Sequence, residues 1–295
     1  MRTPSTGRGL HPKVTASTLH LWPLDDSVIG ATSQDIVVGG GDLTFPGGAS
    51  NPTLVEGNIG KALSFNGLNF VDGPTGDDPF LRSSFSFDGW VYTRRTPGTT
   101  YGSFVSYIPA VPSELEADND LFELGYDFFG RVTWRWETGL GLDISGFTDA
   151  TLPQEQWSHV AFVKADVGGG NADVSIYING DFVETFAGEI NSTGGSNSAW
   201  NLGLSSSGSH FGGLLSSARV TSGLLTADEI REAFRRGMAW QPADFDTRLK
   251  VVVEQRPAGL GLIEVNLSDF RGRDWVQSVE ISDTIDSANA TASLR

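Results

Sequence analysis

Two neighbouring segments of the chain alternate apolar and polar residues with a period of two. They are residues 156–164 (QWSHVAFVK) and residues 174–183 (VSIYINGDFV), and the second is interrupted at Asn179-Gly180-Asp181. Such alternation is typical of a strand with one buried face, and Asn-Gly is a strong signal for a two-residue hairpin turn. The pattern therefore predicts antiparallel β structure.

Composition extends this prediction to the whole chain. The 295 residues include 37 Gly and 13 Pro, and 11% of them are aromatic. This composition suits many short strands joined by tight turns, in a sandwich or jelly roll. All-β domains often reach about 200 residues, so the length predicts one large β domain and a small second unit.

Further motifs accompany the alternating pair in a definite order. They are residues 21–26 (LWPLDD), 60–67 (GKALSFNG), 85–91 (FSFDGWV), 210–215 (HFGGLL) with 218–220 (ARV), and 224–230 (LLTADEI). Together with the Trp-x-His-Val-Ala strand and the Tyr-Ile-Asn-Gly hairpin, this order resembles the laminin G-like branch of the concanavalin A-like lectin/glucanase superfamily. The resemblance implies an all-β fold, an antiparallel jelly-roll sandwich over residues 19–237 that closes with one short helix.

The predicted helix carries signals for both of its ends. Thr226 and Glu229 have the spacing of a capping box, and Leu225 and Ile230 have that of a hydrophobic staple. Gly237 suits the C′ position, where glycine often ends a helix. The first domain is therefore expected to end at Gly237.

The two ends of the chain differ from this domain. Residues 1–18 form a polar arm with two prolines, and residues 238–295 form a β-rich segment of about four short alternating strands. Gly259 and Gly261 separate the first two runs, as in a hairpin. The last run, 288–295, stops in mid-strand, so its partner strands are expected in another subunit or in a continuation of the chain.

The charge balance restricts the partners. Asp and Glu number 36 against 20 Lys and Arg, a net charge of −16, which disfavours nucleic acid and anionic lipid and attracts divalent cations. Membrane insertion is not expected, because no apolar stretch reaches 18 residues. The chain has no cysteine, hence no disulfide or thiolate site. Residues 1–17 lack the apolar core of a signal peptide, so synthesis in the cytoplasm without signal-directed export is expected.

Catalysis is not predicted. Glucanases of the superfamily use two carboxylates from one strand, and the nearest group here is the acidic stretch 114–120 (ELEADND), whose order differs from that motif. Pro109, Pro112 and Asn119 favour a loop there rather than a rigid strand. His159 is interpreted as a histidine satisfied within its sheet. No nucleophile elbow or phosphate-binding loop is present, and we expect a protein that is not an enzyme.

Calcium is the cofactor that the residues favour. Many laminin G-like domains hold calcium at the rim of the sandwich, and the resemblance places Asp25, Asp26 and Asp35 in the region of their early ligand. Carboxylate oxygens are the ligands that this ion prefers. At the second ligand position the chain has Ser216-Ser217, where the family often has Asp, which removes one ligand.

Sugar binding requires an exposed aromatic platform with polar partners. The candidates are Tyr101, Trp136 and Trp200. Trp134 and Trp136 share one face of a predicted strand, which also fits a place in the core.

Three functions remain open, since a fold alone does not decide function. The first is a non-enzymatic virion surface component of a bacteriophage tail, which displays the jelly roll for adhesion or decoration and assembles with itself or with other virion proteins through residues 238–295. The second is a free-standing extracellular lectin that binds a cell-surface glycan. The third, a glycoside hydrolase, lacks the carboxylate pair.

Overall fold

The computed structural model describes residues 11–24, 32–47, 51–76, 83–94, 101–109, 122–137, 143–190, 198–205 and 210–238, and four short strands further on. The chain divides into two compact units, Met1–Gln241 and Pro242–Arg295. The sequence predicts this boundary at residue 237.

The described part of the first unit contains sixteen strands and one helix. They are β1 (Thr18–Trp22), β2 (Thr32–Ser33), β3 (Leu43–Thr44), β4 (Thr53–Glu56), β5 (Lys61–Asn66), β6 (Val71–Gly76), β7 (Phe85–Thr93), β8 (Tyr101–Pro109), β9 (Phe122–Asp127), β10 (Arg131–Glu137), β11 (Asp143–Thr151), β12 (Trp157–Gly168), β13 (Asn171–Ile178), β14 (Asp181–Ile190), β15 (Ser198–Leu202), β16 (Gly212–Ser222) and α1 (Ala227–Met238).

The strands form two antiparallel sheets of eight. The first sheet has the order β14-β13-β12-β7-β16-β5-β4, with β1 also paired to β16, and the second has the order β11-β10-β9-β8-β15-β6-β3-β2. Side chains of both sheets meet in one core, where Phe162 of the first lies 5.0 Å from Phe122 of the second, between ring centroids. The predicted antiparallel sandwich with one helix is confirmed.

Both faces of β12 are buried, and successive side chains of the strand point to opposite faces. Val160 and Phe162 lie in the core between the sheets, whereas Ala161 and Val163 pack on the opposite face with Ile230 of the helix. The hairpin from β13 to β14 turns at Asn179 and Gly180, with φ of 55° and 80°. Positive φ at both residues is what a type I′ turn needs, as the Asn-Gly motif predicts.

The helix starts as predicted. Thr226 N donates to Glu229 Oε2 at 2.8 Å, Glu229 N donates to Thr226 Oγ1 at 3.3 Å, and Leu225 and Ile230 belong to one apolar cluster. These bonds from the Thr226 backbone and side chain lower the pKa of Glu229.

The predicted role of Gly237 is wrong. The helix continues to Met238, and Gly237 is buried within its last turn. A Cβ there would lie 2.3 Å from Trp90 Nε1. Glycine is present because the helix approaches the Trp90 indole too closely for a larger side chain.

The described end of the polar arm, residues 11–18, packs on the first sheet and on α1. Thr18 pairs with Thr221 of β16, Ser222 N donates to Ser17 O at 2.8 Å, and Lys13 Nζ lies 2.7 Å from Glu232 Oε1. His11 is buried. This part of the arm therefore belongs to the jelly roll.

In the second unit four two-residue strands form two antiparallel pairs. They are β17 (Lys250–Val251) with β18 (Ile263–Glu264), and β19 (Val279–Glu280) with β20 (Ser293–Leu294). The first pair is the predicted hairpin. The final strand, β20, pairs on one edge with β19 of the same unit, and the expected partner strands outside the chain stay a prediction.

An exposed phenylalanine and arginine platform as the candidate functional site

The outer face of the second sheet presents polar and aromatic side chains at its β11 end. In β10 Val132, Trp134 and Trp136 point into the core, so the alternation of side chains places Arg131, Thr133 and Arg135 on the outer face. The register of β11 then brings Phe147 beside Thr133 and Ser145 beside Arg135 on that same face.

Arg131 is stacked between two phenylalanine rings. Its Cζ lies 3.7 Å from the ring centroid of Phe147 and 5.2 Å from that of Phe129. Phe129 is 63% exposed, Phe147 is 48% exposed, and Phe128 is exposed beside them. We name Phe129, Arg131 and Phe147 the Phe–Arg platform. It presents two exposed apolar rings and a partly exposed planar cation.

Asp127 holds the platform in place. Its Oδ1 accepts hydrogen bonds from the backbone N–H groups of Phe129 and Arg131, each at 2.9 Å, which fixes the turn between β9 and β10. Its Oδ2 lies 2.6 Å from Arg131 Nε and 2.6 Å from Arg131 Nη2. Among the described residues Arg131 Nη1 has no hydrogen-bond partner, so its two N–H groups remain available to a ligand.

A polar row crosses the rest of this face. Neighbouring strands pair its members in register: Ser145, Arg135, Glu123, Ser106, Asn201, Asp72 and Thr44. Burial raises the pKa of Asp72.

The middle of the polar row is covered. Glu123, Ser106 and Asn201 are buried although they face away from the core. Ser205 Oγ donates to Glu123 Oε1 at 3.2 Å, and Ser106 Oγ donates to Leu204 O at 2.7 Å. Within the described part of this face, a ligand can reach the Phe–Arg platform, whereas the middle of the polar row is closed to it.

Two of the predicted sugar-binding residues are core residues. Trp136 is 2% exposed and donates through Nε1 to Ile190 O at 2.9 Å, and Trp200 is fully buried against Tyr107. The prediction that they form an exposed platform is wrong, because both point between the sheets. Tyr101 pairs through its backbone with Asp127, and its side chain lies outside the described residues.

Sequence reasoning did not single out the phenylalanines of the platform, although one signal was present. Phe128 and Phe129 are adjacent and precede Gly130. Successive side chains of a strand point to opposite faces, so two adjacent phenylalanines at a hairpin turn do not both reach the core. At least one of them had to be exposed.

The predicted calcium ligands are not brought together in the described structure. Asp25 and Asp26 lie outside the described residues. Asp35 is described, and its carboxylate is already engaged: Oδ2 lies 2.7 Å from His20 Nδ1, and Oδ1 accepts from the N–H groups of Leu21 and Val37. No group of three metal-binding side chains occurs in the described ranges. Calcium stays a prediction that rests on Asp25 and Asp26.

His159 contributes to a buried charge network beneath α1. Its Nε2 lies 3.2 Å from Asp88 Oδ2, and Arg219 Nε donates to Asp88 Oδ1 at 2.6 Å. Burial raises the pKa of Asp88, but the charge of Arg219 and the bonds from His159 and Arg219 outweigh it, so the pKa lies below its usual value. All three side chains are buried, so this network supports the structure and is closed to a substrate. The acidic stretch 114–120 lies outside the described residues.

Comparison with known proteins agrees with the fold described above. A laminin G profile of the concanavalin A-like lectin/glucanases superfamily matches residues 69–231. The chain belongs to this superfamily. The matched range contains the whole Phe–Arg platform and most of both sheets. No curated protein sequence matches the chain.

Solved structures share the superfamily fold at low identity. Trypanosoma rangeli sialidase matches with 17% identity and a TM-score of 0.53, over 75% of this chain and 33% of the sialidase. The binding domain of botulinum neurotoxin serotype G matches with 13% identity and a TM-score of 0.53, over 74% and 50%. The binding domain of Paraclostridial Mosquitocidal Protein 1 matches with 16% identity and a TM-score of 0.52, over 74% and 52%.

These matches show the jelly-roll fold and nothing finer. The chain spans about a third of the sialidase and half of each toxin binding domain. In the part of the chain that the structure describes, no helix has the length and apolar character of a membrane span.

Proposed function

We propose that this protein is a non-enzymatic carbohydrate-binding module and that the Phe–Arg platform is its binding surface. The observation that carries the proposal is the stacking of Arg131 on Phe147 beside Phe129, with two exposed rings and the N–H groups of Nη1, which have no partner among the described residues. A sugar ring offers C–H groups on its face and hydroxyl groups at its edge. An aromatic surface suits the face, and a planar donor suits the edge.

The polar surroundings support the same proposal. Arg135 and Ser145 continue the outer face beyond Thr133 and Phe147, where they supply hydroxyl and guanidinium groups next to the rings. Asp127 fixes Arg131 through the turn, so the platform is ordered before a ligand arrives. A preformed site lowers the conformational cost of binding.

We further propose a setting in which the jelly roll is displayed on an assembly, with a bacteriophage virion as the candidate. In this setting residues 238–295 contact other copies of the chain or other virion proteins, and the platform contacts a cell-surface glycan. The support is the sequence of residues 238–295, whose short alternating runs offer too little apolar surface for a stable core of their own and so favour pairing with other chains. The alternative setting is a free-standing extracellular lectin.

Glycan binding tests the first proposal. The full-length chain is applied to a glycan array, and the affinity of the best ligand is measured by calorimetry. We expect Phe147→Ala and Arg131→Ala to weaken binding by about tenfold or more, since each removes part of the stacked surface.

Phe182→Ala is the matched control, because Phe182 is equally exposed but lies on β14 of the first sheet, against Tyr177. Unchanged affinity in both platform variants, or an equal loss in the control, would argue against the platform as the site. The molar mass of the full-length chain in solution tests the assembly setting, where a single-chain mass at every concentration would favour the free lectin.

A further inference from the structure

Carboxylates surround the Phe–Arg platform. Asp127 forms an ion pair with Arg131. Asp149 lies on β11 two residues after Phe147, and its side chain is exposed. Glu184 of β14 adjoins Asp149, because Asp149 N donates to Glu184 Oε2 at 3.4 Å. Asp149 and Glu184 therefore lie close together where the edge strands β11 and β14 meet, two residues along β11 from Phe147.

The cations of this face already have carboxylates beside them. Asp127 engages Nε and Nη2 of Arg131, so the charge of this guanidinium is already paired. Arg135 lies directly across from Glu123 in register. The two N–H groups of Arg131 Nη1 can donate to hydroxyl groups.

The charged side chains in and around the platform thus carry a net negative charge. Two guanidinium groups, of Arg131 and Arg135, stand against four carboxylates, of Asp127, Glu123, Asp149 and Glu184. The whole chain has the same sign, with a net charge of −16. A negatively charged ligand would approach against both the local and the overall field.

We propose that the platform selects neutral glycans and disfavours glycans that carry a carboxylate, such as sialylated or uronic-acid glycans. This inference rests on the proposed function. The rings and the N–H groups of Arg131 Nη1 supply attraction to a neutral sugar, and Asp149 and Glu184 supply repulsion against a charged one. Specificity of this kind comes as much from the disfavoured ligand as from the preferred one.

The experiment compares matched glycans that differ only in a terminal sialic acid, on an array and then by calorimetry with the full-length chain. We expect the neutral member of the pair to bind about tenfold tighter at low salt. The preference should shrink as salt is added, since both flanking carboxylates lie near the surface.

Charge variants assign the effect to the flanking carboxylates. Asp149→Asn and Glu184→Gln should each improve binding of the sialylated member while leaving the neutral member nearly unchanged. Asp228→Asn is the control, because it removes one negative charge from the exposed first turn of α1, away from the platform. An equal gain in the control would overturn the role of Asp149 and Glu184.

Failure of the selection for neutral glycans can be distinguished from failure of the proposed carbohydrate binding. Tighter binding of the sialylated member would overturn the selection for neutral glycans and leave carbohydrate binding in place. Absence of binding to both members of every pair would overturn the proposed function, and the selection with it.

Discussion

Arg219 and Asp88 form a two-point ion pair on the buried outer face of the first sheet. They face each other in register on β16 and β7, with Arg219 Nε 2.6 Å from Asp88 Oδ1 and Arg219 Nη2 3.1 Å from Asp88 Oδ2. Arg219 Nη1 also donates to Lys13 O at 3.1 Å. One guanidinium thus joins two central strands of the sheet to the segment that covers them.

Replacement of Asp88 should be strongly destabilising. Asp88→Asn leaves the buried charge of Arg219 without its counter-ion, and breaking a buried pair in this way costs about 3–5 kcal/mol. Urea unfolding of the two proteins measures the difference. Asp228→Asn is the matched control, since the Asp228–Arg231 pair is on the surface and should change stability by about 0.5 kcal/mol or less. Equal effects of the two substitutions would contradict the structural role of the network.

Lowering the pH should remove the stabilisation that the Asp88–Arg219 pair provides. The pKa of Asp88 lies below its usual value, despite burial, because of Arg219 and His159. A carboxyl group with a lowered pKa in the folded state stabilises the fold above its unfolded pKa of about 3.9 and loses that contribution as pH falls through the folded pKa. The stability gap between wild type and Asp88→Asn should therefore narrow below about pH 4. A gap that stays constant down to pH 2 would count against this assignment.

The substitution Gly237→Ala tests the close approach of α1 to Trp90, because this contact decides whether the substitution raises or lowers stability. In a free helix this substitution stabilises by about 1 kcal/mol. Here the added Cβ would meet the Trp90 indole at 2.3 Å, and overpacking of this kind costs about 1–3 kcal/mol. We expect a net loss of stability in thermal or urea unfolding. A gain would mean that the indole moves aside without penalty.

Trp157 should matter less than a core tryptophan. It is half-buried and shares its face of β12 with His159, so its indole contacts Tyr92 rather than the core. Val160 and Phe162 occupy the core face of this strand, and Trp157 lies on the opposite face. Trp157→Ala should cost about 1–2 kcal/mol, against about 3–5 kcal/mol for Trp22→Ala at a fully buried site. Similar losses for the two would contradict the difference in burial.

The first unit should fold without the second. Residues 1–241 contain both eight-stranded sheets and α1 with its complete capping box. We expect this fragment to be soluble and to unfold cooperatively. The separate fragment 242–295 has two pairs of two-residue strands among its described residues, and its sequence offers too little apolar surface for a stable core, so it should show little amide protection in hydrogen exchange. Aggregation of the first fragment, or strong protection in the second, would place the boundary elsewhere.

Local patterns predicted the fold well because each acts over a few residues. The alternation around Phe162, the Asn179-Gly180 turn and the Thr226–Glu229 capping box depend on neighbours in sequence, and the structure contains all three. The close contact of Gly237 with Trp90 joins residues far apart in the chain, so no local signal marks it.

The site was less predictable for a related reason. An aromatic residue in a strand gives no sign of whether it faces the core or the solvent until the partner sheet is known. Trp136 and Trp200 face inward, and Phe147 faces outward because of its register with Thr133. The position of Arg131 between two rings depends on pairing between β9, β10 and β11, which composition does not reveal.

Because β16 lies in the middle of the first sheet, this sheet can be completed only after β16 has been synthesised. This strand lies between β7 on one side and β5 and β1 on the other, yet it is made last among the strands of the first sheet. At about 5–20 residues per second, a ribosome needs about 10–40 s to reach it. Until then β1 and β5 have no link to β7, and their apolar edges stay open. A newborn chain would therefore depend on protection by chaperones during that interval, and slower translation would increase its tendency to aggregate.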